Sequence, residues 1–273
     1  MRVGILYYSG AGNTEAIAER LGQILGAQSE IQIAFLERIH ADADYAALRE
    51  RYDVLCVGFP VYFGRAPALV EASLREIAVG GRRIVGFCTY SVSPAAAVSR
   101  FRRLAGDMGM VVGAWVQIRM PPTHMLLFTP RHSRRAHWLQ GWFDPIETEV
   151  KLARLAGSLD WSSGSSAGGG GRARAPAASA ISQLHVWNLR RHAGGLQVLA
   201  GRCTQCGICA QGCPAANIRL VSGYPQFGDQ CALCLGCIHR CPTEAIQMGG
   251  RTINTVRYLP VWSREGELVN ARS

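Results

Sequence analysis

Eight of the ten cysteines in this 273-residue chain crowd into residues 203–241, in two runs of identical spacing. The first is Cys203-x2-Cys206-x2-Cys209-x3-Cys213-Pro214, and the second is Cys231-x2-Cys234-x2-Cys237-x3-Cys241-Pro242. Such local crowding favours metal over disulfide. Zinc is the competing metal, but it usually takes two separated C-x2-C knuckles that close a tetrahedron. Three cysteines at consecutive x2 spacings instead wrap three corners of a [4Fe–4S] cubane, and the other run supplies the fourth sulfur. By that rule one cluster takes Cys203, Cys206, Cys209 and Cys241, while the second takes Cys231, Cys234, Cys237 and Cys213. Crossed ligands hold the two clusters close, so electrons pass between them. The proline after each fourth cysteine fixes φ and turns the chain away. Asn217-Ile218 and Ala245-Ile246 follow at matching places, so the block is an internal repeat of about 28 residues with a Gly223-Tyr224-Pro225 turn between its halves.

The rest of the chain divides by composition. A hydrophobic content of 48 % excludes a disordered chain. No apolar run reaches the length of a membrane helix. The first nine residues are too short an apolar stretch for a signal peptide, so the expectation is a cytoplasmic protein. Residues 1–157 alternate apolar strands (Val3–Tyr8, Ile31–Leu36, Val54–Phe59, Ile84–Thr89, Met110–Ile118) with helical patterns. Pro67 opens one helix, Ser93-Pro94 caps the next, and Asp144-Pro145-Ile146-Glu147 begins the last, which ends at Gly157. This alternation predicts an α/β fold with a parallel sheet covered on both faces. Residues 158–182, with the run Gly168–Gly171, read as a Gly/Ser/Ala linker. A short helical lead-in (Leu184, Val186, Trp187, Leu189) opens a small domain over 183–258, and 259–273 reads as a loose tail. The net charge is +10, and Lys151 is the single lysine among 29 basic residues. No arginine stripe with interleaved aromatics appears, so nucleic acid is not an expected partner.

Where the first strand gives way to a helix stands Ser9-Gly10-Ala11-Gly12-Asn13-Thr14. Backbone N–H groups at such a turn, with the positive end of the helix, make an anion site. A triphosphate loop needs Gly-Lys-Ser/Thr, and no lysine is present. A dinucleotide fingerprint needs glycine where Glu15 stands, and Glu15 repels a pyrophosphate. A single phosphate such as that of FMN remains, beside a purely structural turn. Tyr7 to Thr14 resembles the FMN-phosphate loop of flavodoxins, Ser/Thr-x-Thr-Gly-Asn-Thr, with Ala11 in the place of a threonine, which removes one hydroxyl contact. That resemblance implies a five-stranded sheet of order 2-1-3-4-5 with the flavin ring beyond the strand ends. Two further loops would then flank the ring: Pro60, Val61, Tyr62, Phe63 and Gly64 after the third strand, and Thr89, Tyr90 and Ser91 after the fourth. Tyr62, Phe63 or Tyr90 would stack on the ring, and Gly64 would let a peptide turn towards it.

Residues 201–249 resemble the two-cluster bacterial-type ferredoxins, with no departure in ligand spacing. In whole-chain layout the protein is similar to fused flavodoxin–ferredoxin proteins. The resemblance implies an electron carrier that passes electrons between two [4Fe–4S] clusters and FMN. It would exchange them with a redox partner protein, an acidic one suiting the basic chain. An FMN-dependent reductase of a small substrate is the alternative. No catalytic residue is assigned. Cys56 and Cys88 lie mid-strand and read as small buried hydrophobes. His124, His132 and His137 show no ligand spacing. Met120-Pro121-Pro122 and Met125-Leu126-Leu127-Phe128 form an apolar loop that would cover the flavin edge or dock a partner, but packing against the final helix is the favoured expectation, with Trp138, Trp142 and Phe143 serving that packing.

Overall fold

A computed structural model describes residues 1–94, 96–159, 195–262 and 268–270. Most of the 158–182 linker and the lead-in over 183–189 lie outside the described residues. Contacts divide the described chain into two units. One contains Met1–Ser9, Thr14–Arg119 and residues 144–159. The second contains Gly10–Asn13, Met120–Phe143 and the residues from 195 onwards.

The first unit is built on strands β1 (Arg2–Tyr7), β2 (Gln32–Arg38), β3 (Val54–Pro60), β4 (Arg83–Tyr90) and β5 (Val111–Arg119). They form one sheet of order β2-β1-β3-β4-β5, and every pair is parallel. This is the doubly wound flavodoxin-like order. All seven residues of β3 are buried, as an inner strand covered on both faces requires. Helices α1 (Asn13–Gly26), α2 (Ala68–Ile77), α3 (Ala97–Asp107) and α6 (Pro145–Gly157) supply the cover. Each turns an apolar stripe inward; Ile17, Leu21 and Leu25 do so on α1. Asp144 caps α6 by accepting the Glu147 N–H at 2.9 Å, with Pro145 in the first turn. The helix expected to start from a Ser93-Pro94 cap begins later. Ala96 precedes it, and no side chain caps it.

Inside the sheet, Gly86 has no room for a side chain. A Cβ there would run into the Val57 carbonyl oxygen and the Trp115 ring. Cys56 and Cys88 are buried in β3 and β4, and burial pushes both thiols up to about 12.

The second unit is a small α+β body. Its segments are β6 (Leu196–Val198), α7 (Ile208–Gln211), β7 (Ile218–Val221), β8 (Tyr224–Phe227), α8 (Gly236–Arg240) and β9 (Ile246–Met248). Strand β6 pairs antiparallel with β9, and β7 with β8. The sequence repeat thus becomes a structural one: β6 and β8 occupy equivalent places in the two halves, as do β7 and β9, so the first strand of each half pairs with the closing strand of the other.

Two departures from expectation lie in this unit. The 120–143 segment carries α4 (Thr123–Leu127) and α5 (Arg134–Gln140). Leu127 joins a core with Leu235, Ile238, Ile246 and Met248, while Leu126, Ala136 and Leu139 pack with Val256 and Tyr258. Leu126, Leu127, Ala136 and Leu139 are therefore packed inside the cysteine-bearing unit. Trp138 is not core: it is 60 % exposed and meets Trp142 edge-on at 5.0 Å. Nor is the tail wholly loose, since β10 (Pro260–Trp262) pairs antiparallel with β11 (Leu268–Asn270). Among the described residues no helix is long and apolar enough to cross a membrane.

Two outcomes follow for the sheet. Gly86→Ala should lower stability by about 1–3 kcal/mol in urea unfolding, because a backbone oxygen must move to admit the methyl group. Cys56 and Cys88 should resist iodoacetamide in the folded chain and react once it is unfolded. Their raised native values favour the protonated thiol, so the stability they contribute is intact below about pH 9 and declines as pH rises towards about 12.

Candidate functional site

The two cysteine runs bend around two separate cavities. One is lined by Cys203, Cys206, Cys209 and Cys241. The other is lined by Cys213, Cys231, Cys234 and Cys237. Each run therefore gives three sulfurs to one cavity and its fourth to the other. Among the described residues no three His, Cys, Asp or Glu side chains converge tightly enough to hold a single metal ion.

Local backbone geometry shows why the runs curve in this way. Gln205 and Gly207 flank Cys206 with positive φ, and Leu233 and Leu235 flank Cys234 likewise. Alternation of left-handed residues with ordinary ones turns successive N–H groups towards a common centre, which favours an anionic occupant. Ala216 and Glu244, three residues past the fourth cysteine of each run, are also left-handed. Such a conformation costs a non-glycine residue about 1–2 kcal/mol. Two backbone donors then meet sulfur directly: Asn217 N–H to Cys213 Sγ at 3.3 Å and Ala245 N–H to Cys241 Sγ at 3.2 Å. Burial raises Cys209 and Cys231 above the usual thiol range and Cys237 well above it. A positively charged group held inside a quartet would offset that penalty.

The 203–241 block is anchored by contacts within its own unit. His239 is fully buried; its Nδ1 accepts the Tyr258 N–H at 3.2 Å, which leaves Nε2–H to donate to the Thr123 carbonyl at 3.2 Å. Arg131 forms an ion pair with Glu244. Arg257, 2 % exposed, donates to Thr255 Oγ1, the Thr252 carbonyl and Gln247 Oε1 at 3.0–3.2 Å. Gly10 and Gly236 meet back to back: a Cβ on Gly236 would sit 2.5 Å from the Gly10 carbonyl oxygen and 3.6 Å from Cys234 Sγ. Arg240 Nε donates to that same carbonyl at 3.4 Å. Asn13 Nδ2 donates to the Pro121 carbonyl at 3.2 Å, and Pro260 fills the side-chain position of Gly12, whose φ is +109°.

In the sheet unit, Ser9 lies at the end of β1 with its hydroxyl buried and no hydrogen-bond partner among the described residues. Arg38 Nη2 donates to its carbonyl at 2.7 Å. A buried orphan hydroxyl beside a guanidinium suits a phosphate oxygen, so the residues present fit an FMN tail. Thr14 Oγ1 and Thr89 Oγ1 share a hydrogen bond of 2.8 Å, tying the start of α1 to the end of β4. Pro60 and Thr89 are register partners on β3 and β4, and the Val61 N–H reaches the Thr89 carbonyl at 2.8 Å. Tyr62 and Arg65 close a tight turn whose central residues, Phe63 and Gly64, have φ of +53° and +74°. The glycine is well used there; Phe63 is held in a conformation that few large side chains adopt. Tyr62 meets Tyr8 edge-on at 6.1 Å. Arg119 Nε donates to the Ser91 carbonyl at 3.1 Å, which fixes the end of the second loop. Tyr62, Phe63 and Tyr90 are half-buried.

Sequence reasoning passed over Arg38, Gly236 and Pro260. A lone arginine at a strand end carries no motif. Glycine within the second cysteine run reads as repeat filler until its long-range contact is visible.

No family model matches the chain, and no curated protein matches it. Solved structures do. A flavodoxin from the domain Archaea is 19 % identical over 58 % of this chain and 99 % of its own, with a TM-score of 0.40. Flavodoxin 1 from Bacillus cereus is 17 % identical over 58 % of this chain and 97 % of its own, with a TM-score of 0.42. A flavoprotein from Lactobacillus acidophilus, solved in complex with FMN, is 18 % identical over 42 % of this chain and 92 % of its own, with a TM-score of 0.35. At such identities the likeness concerns fold alone, and the fold assignment above stands on the sheet order itself.

Replacement of Gly236 by alanine drives a methyl group into the Gly10 carbonyl. Gly236→Ala should therefore lower the unfolding midpoint of the second unit, by about 1–3 kcal/mol in a denaturant titration, whereas Gly250→Ala, where a Cβ meets nothing within 4 Å, should not.

Proposed function

We propose that the chain is an electron-transfer protein. Its second unit holds two [4Fe–4S] clusters, its sheet holds FMN, and a separate redox protein supplies or removes the electrons. The observation that carries this reading is the sorting of eight cysteines into two quartets, each around its own cavity. A cubane needs four sulfurs set around a volume, and zinc needs four drawn to a point. The second unit thereby resembles a two-cluster bacterial-type ferredoxin, and the whole chain a flavodoxin–ferredoxin fusion.

When bound, the clusters supply one-electron chemistry and the flavin one- or two-electron chemistry, so the pair converts between the two. The protein's part is to hold and tune. Cys203, Cys206, Cys209 and Cys241 would ligate one cluster, and Cys213, Cys231, Cys234 and Cys237 the other. Asn217 and Ala245 N–H groups lower the charge density on one sulfur of each quartet. Ser9, with the Gly10–Thr14 backbone, would take the FMN phosphate, and Arg38 adds positive charge at Ser9. Tyr62, Phe63 and Tyr90 would line the ring, with Gly64 beside it.

Anaerobic reconstitution of the full chain tests the proposal. Close to eight irons and eight sulfides per chain, with a flavin band, are the expected yield, about four of each per quartet. Zinc in their place, or thiols that take up no iron, would defeat it. Iron removal gives a second outcome, since the free energy of metal binding is folding free energy for a small metal-held domain. Limited proteolysis after chelation should cut the 203–241 block while residues 1–94 stay protected.

A further inference from the structure

The repeat is symmetric in sequence and asymmetric in its surroundings. At three repeat-equivalent positions the second half is covered where the first is open. Ile208 is 40 % exposed, and its counterpart Gly236 is buried beneath the Gly10 carbonyl. Leu220 is 45 % exposed, whereas its counterpart Met248 is buried. Of the eight clustered cysteines only Cys206 is exposed; its counterpart Cys234 is partly covered. The cover on the second half comes from two segments of the same unit, Gly10–Asn13 and Met120–Leu127, through Gly10 on Gly236 and Leu127 among Leu235 and Ile238.

The open half has its own surface chemistry. Cys206, Ile208, Leu220 and Val221 give an apolar rim beside the first cavity. Arg202 and Arg219 are exposed within this half, and residues 195–228 contain no Asp or Glu. An apolar centre with arginines and no acid suits an acidic partner and disfavours a basic one.

Building on the function proposed above, we infer that the two clusters have fixed and different places in the electron path. The Cys203/Cys206/Cys209/Cys241 cluster is the outer one, where an acidic one-electron carrier protein docks on the Ile208–Leu220 face. The Cys213/Cys231/Cys234/Cys237 cluster would be the inner one, covered by the Gly10–Asn13 and Met120–Leu127 segments of its own unit. In the reducing direction the carrier would lose one electron, which the outer quartet's cluster would accept and hand on to the inner, with no bond or proton involved. Gly236 is a positioning residue: its missing side chain lets the loop backbone reach the helix of the inner quartet.

Residue-resolved loss of iron from the loaded full-length chain tests the order without needing a partner. The chain, first assayed for eight irons, is treated anaerobically with a limiting amount of an anionic iron chelator and iodoacetamide, and labelled thiols are located by mass spectrometry. Cys203, Cys206 and Cys209 should be alkylated about tenfold faster than Cys231, Cys234 and Cys237, because access governs thiol reactivity; the comparison is made on these three-residue sets because Cys241, the fourth of the outer quartet, is itself buried. Equal rates, or the reverse order, overturn the assignment while leaving the two-cluster reading intact. A chain that loads no iron at the outset fails that reading and the assignment with it. For the docking face the probe is a reduced plant-type ferredoxin, an acidic one-electron donor, mixed with the oxidised chain in a stopped-flow cell at low salt. Arg202→Glu with Arg219→Glu should slow bleaching of the clusters about tenfold, and the difference should shrink in high salt. An unchanged rate, or slowing that salt does not diminish, removes the docking surface.

Discussion

Each cysteine run gives three sulfurs to one cavity and the fourth to the other, and this exchange binds the halves of the second unit together. Neither half could close its own quartet. The left-handed residues that flank the cysteines, the N–H groups aimed at Cys213 and Cys241, and the strand pairing of β6 with β9 all serve that crossing. The hydrophobic core of the unit is modest, built from a few residues such as Leu127, Ile238 and Ile246. A body of this size with several strained backbone positions would gain much from the metal core proposed for it.

The sheet unit works by the opposite means. Its stability rests on buried apolar strands, and its special backbone is confined to the loops at the strand ends. Phe63 and Gly64 bend one loop, Thr89 and Arg119 fix another, and Ser9 leaves a polar atom buried at the end of β1. Rigid strands thus present a few adaptable groups in a fixed frame, the usual division of labour in α/β proteins.

Periodicity made the sheet legible before any coordinates. All five strands lie within two residues of their expected ends, and the order 2-1-3-4-5 follows once a parallel sheet and its first loop are recognised. Local chemistry also identified the Asp144 cap, because the signal and the hydrogen bond lie three residues apart. What escaped was set by distance along the chain. Met120–Phe143 follows the last strand directly, so chain order alone assigns its apolar residues to the sheet. They pair with Val256 and Tyr258, more than a hundred residues away, and nothing in the local pattern encodes that choice. Trp138 misled for a related reason: a tryptophan reads as core, yet this one lies on the surface beside Trp142. The three cysteines that each run gives to one cavity are sequence neighbours and so legible from spacing; the asymmetric cover over the two halves is not, because it comes from residues 10–13 and 120–127.

The antiparallel pairing of β6 with β9 sets Leu196 opposite Met248, so the cysteine block begins and ends at one edge. A module whose two ends lie side by side is portable. It can be spliced into a surface loop of another protein, or have its ends joined and reopened at the Gly223 turn, without stretching the host backbone. Gene fusion of such a block to an unrelated sheet therefore demands little of either partner, and the same closeness of ends would allow it to be moved by design.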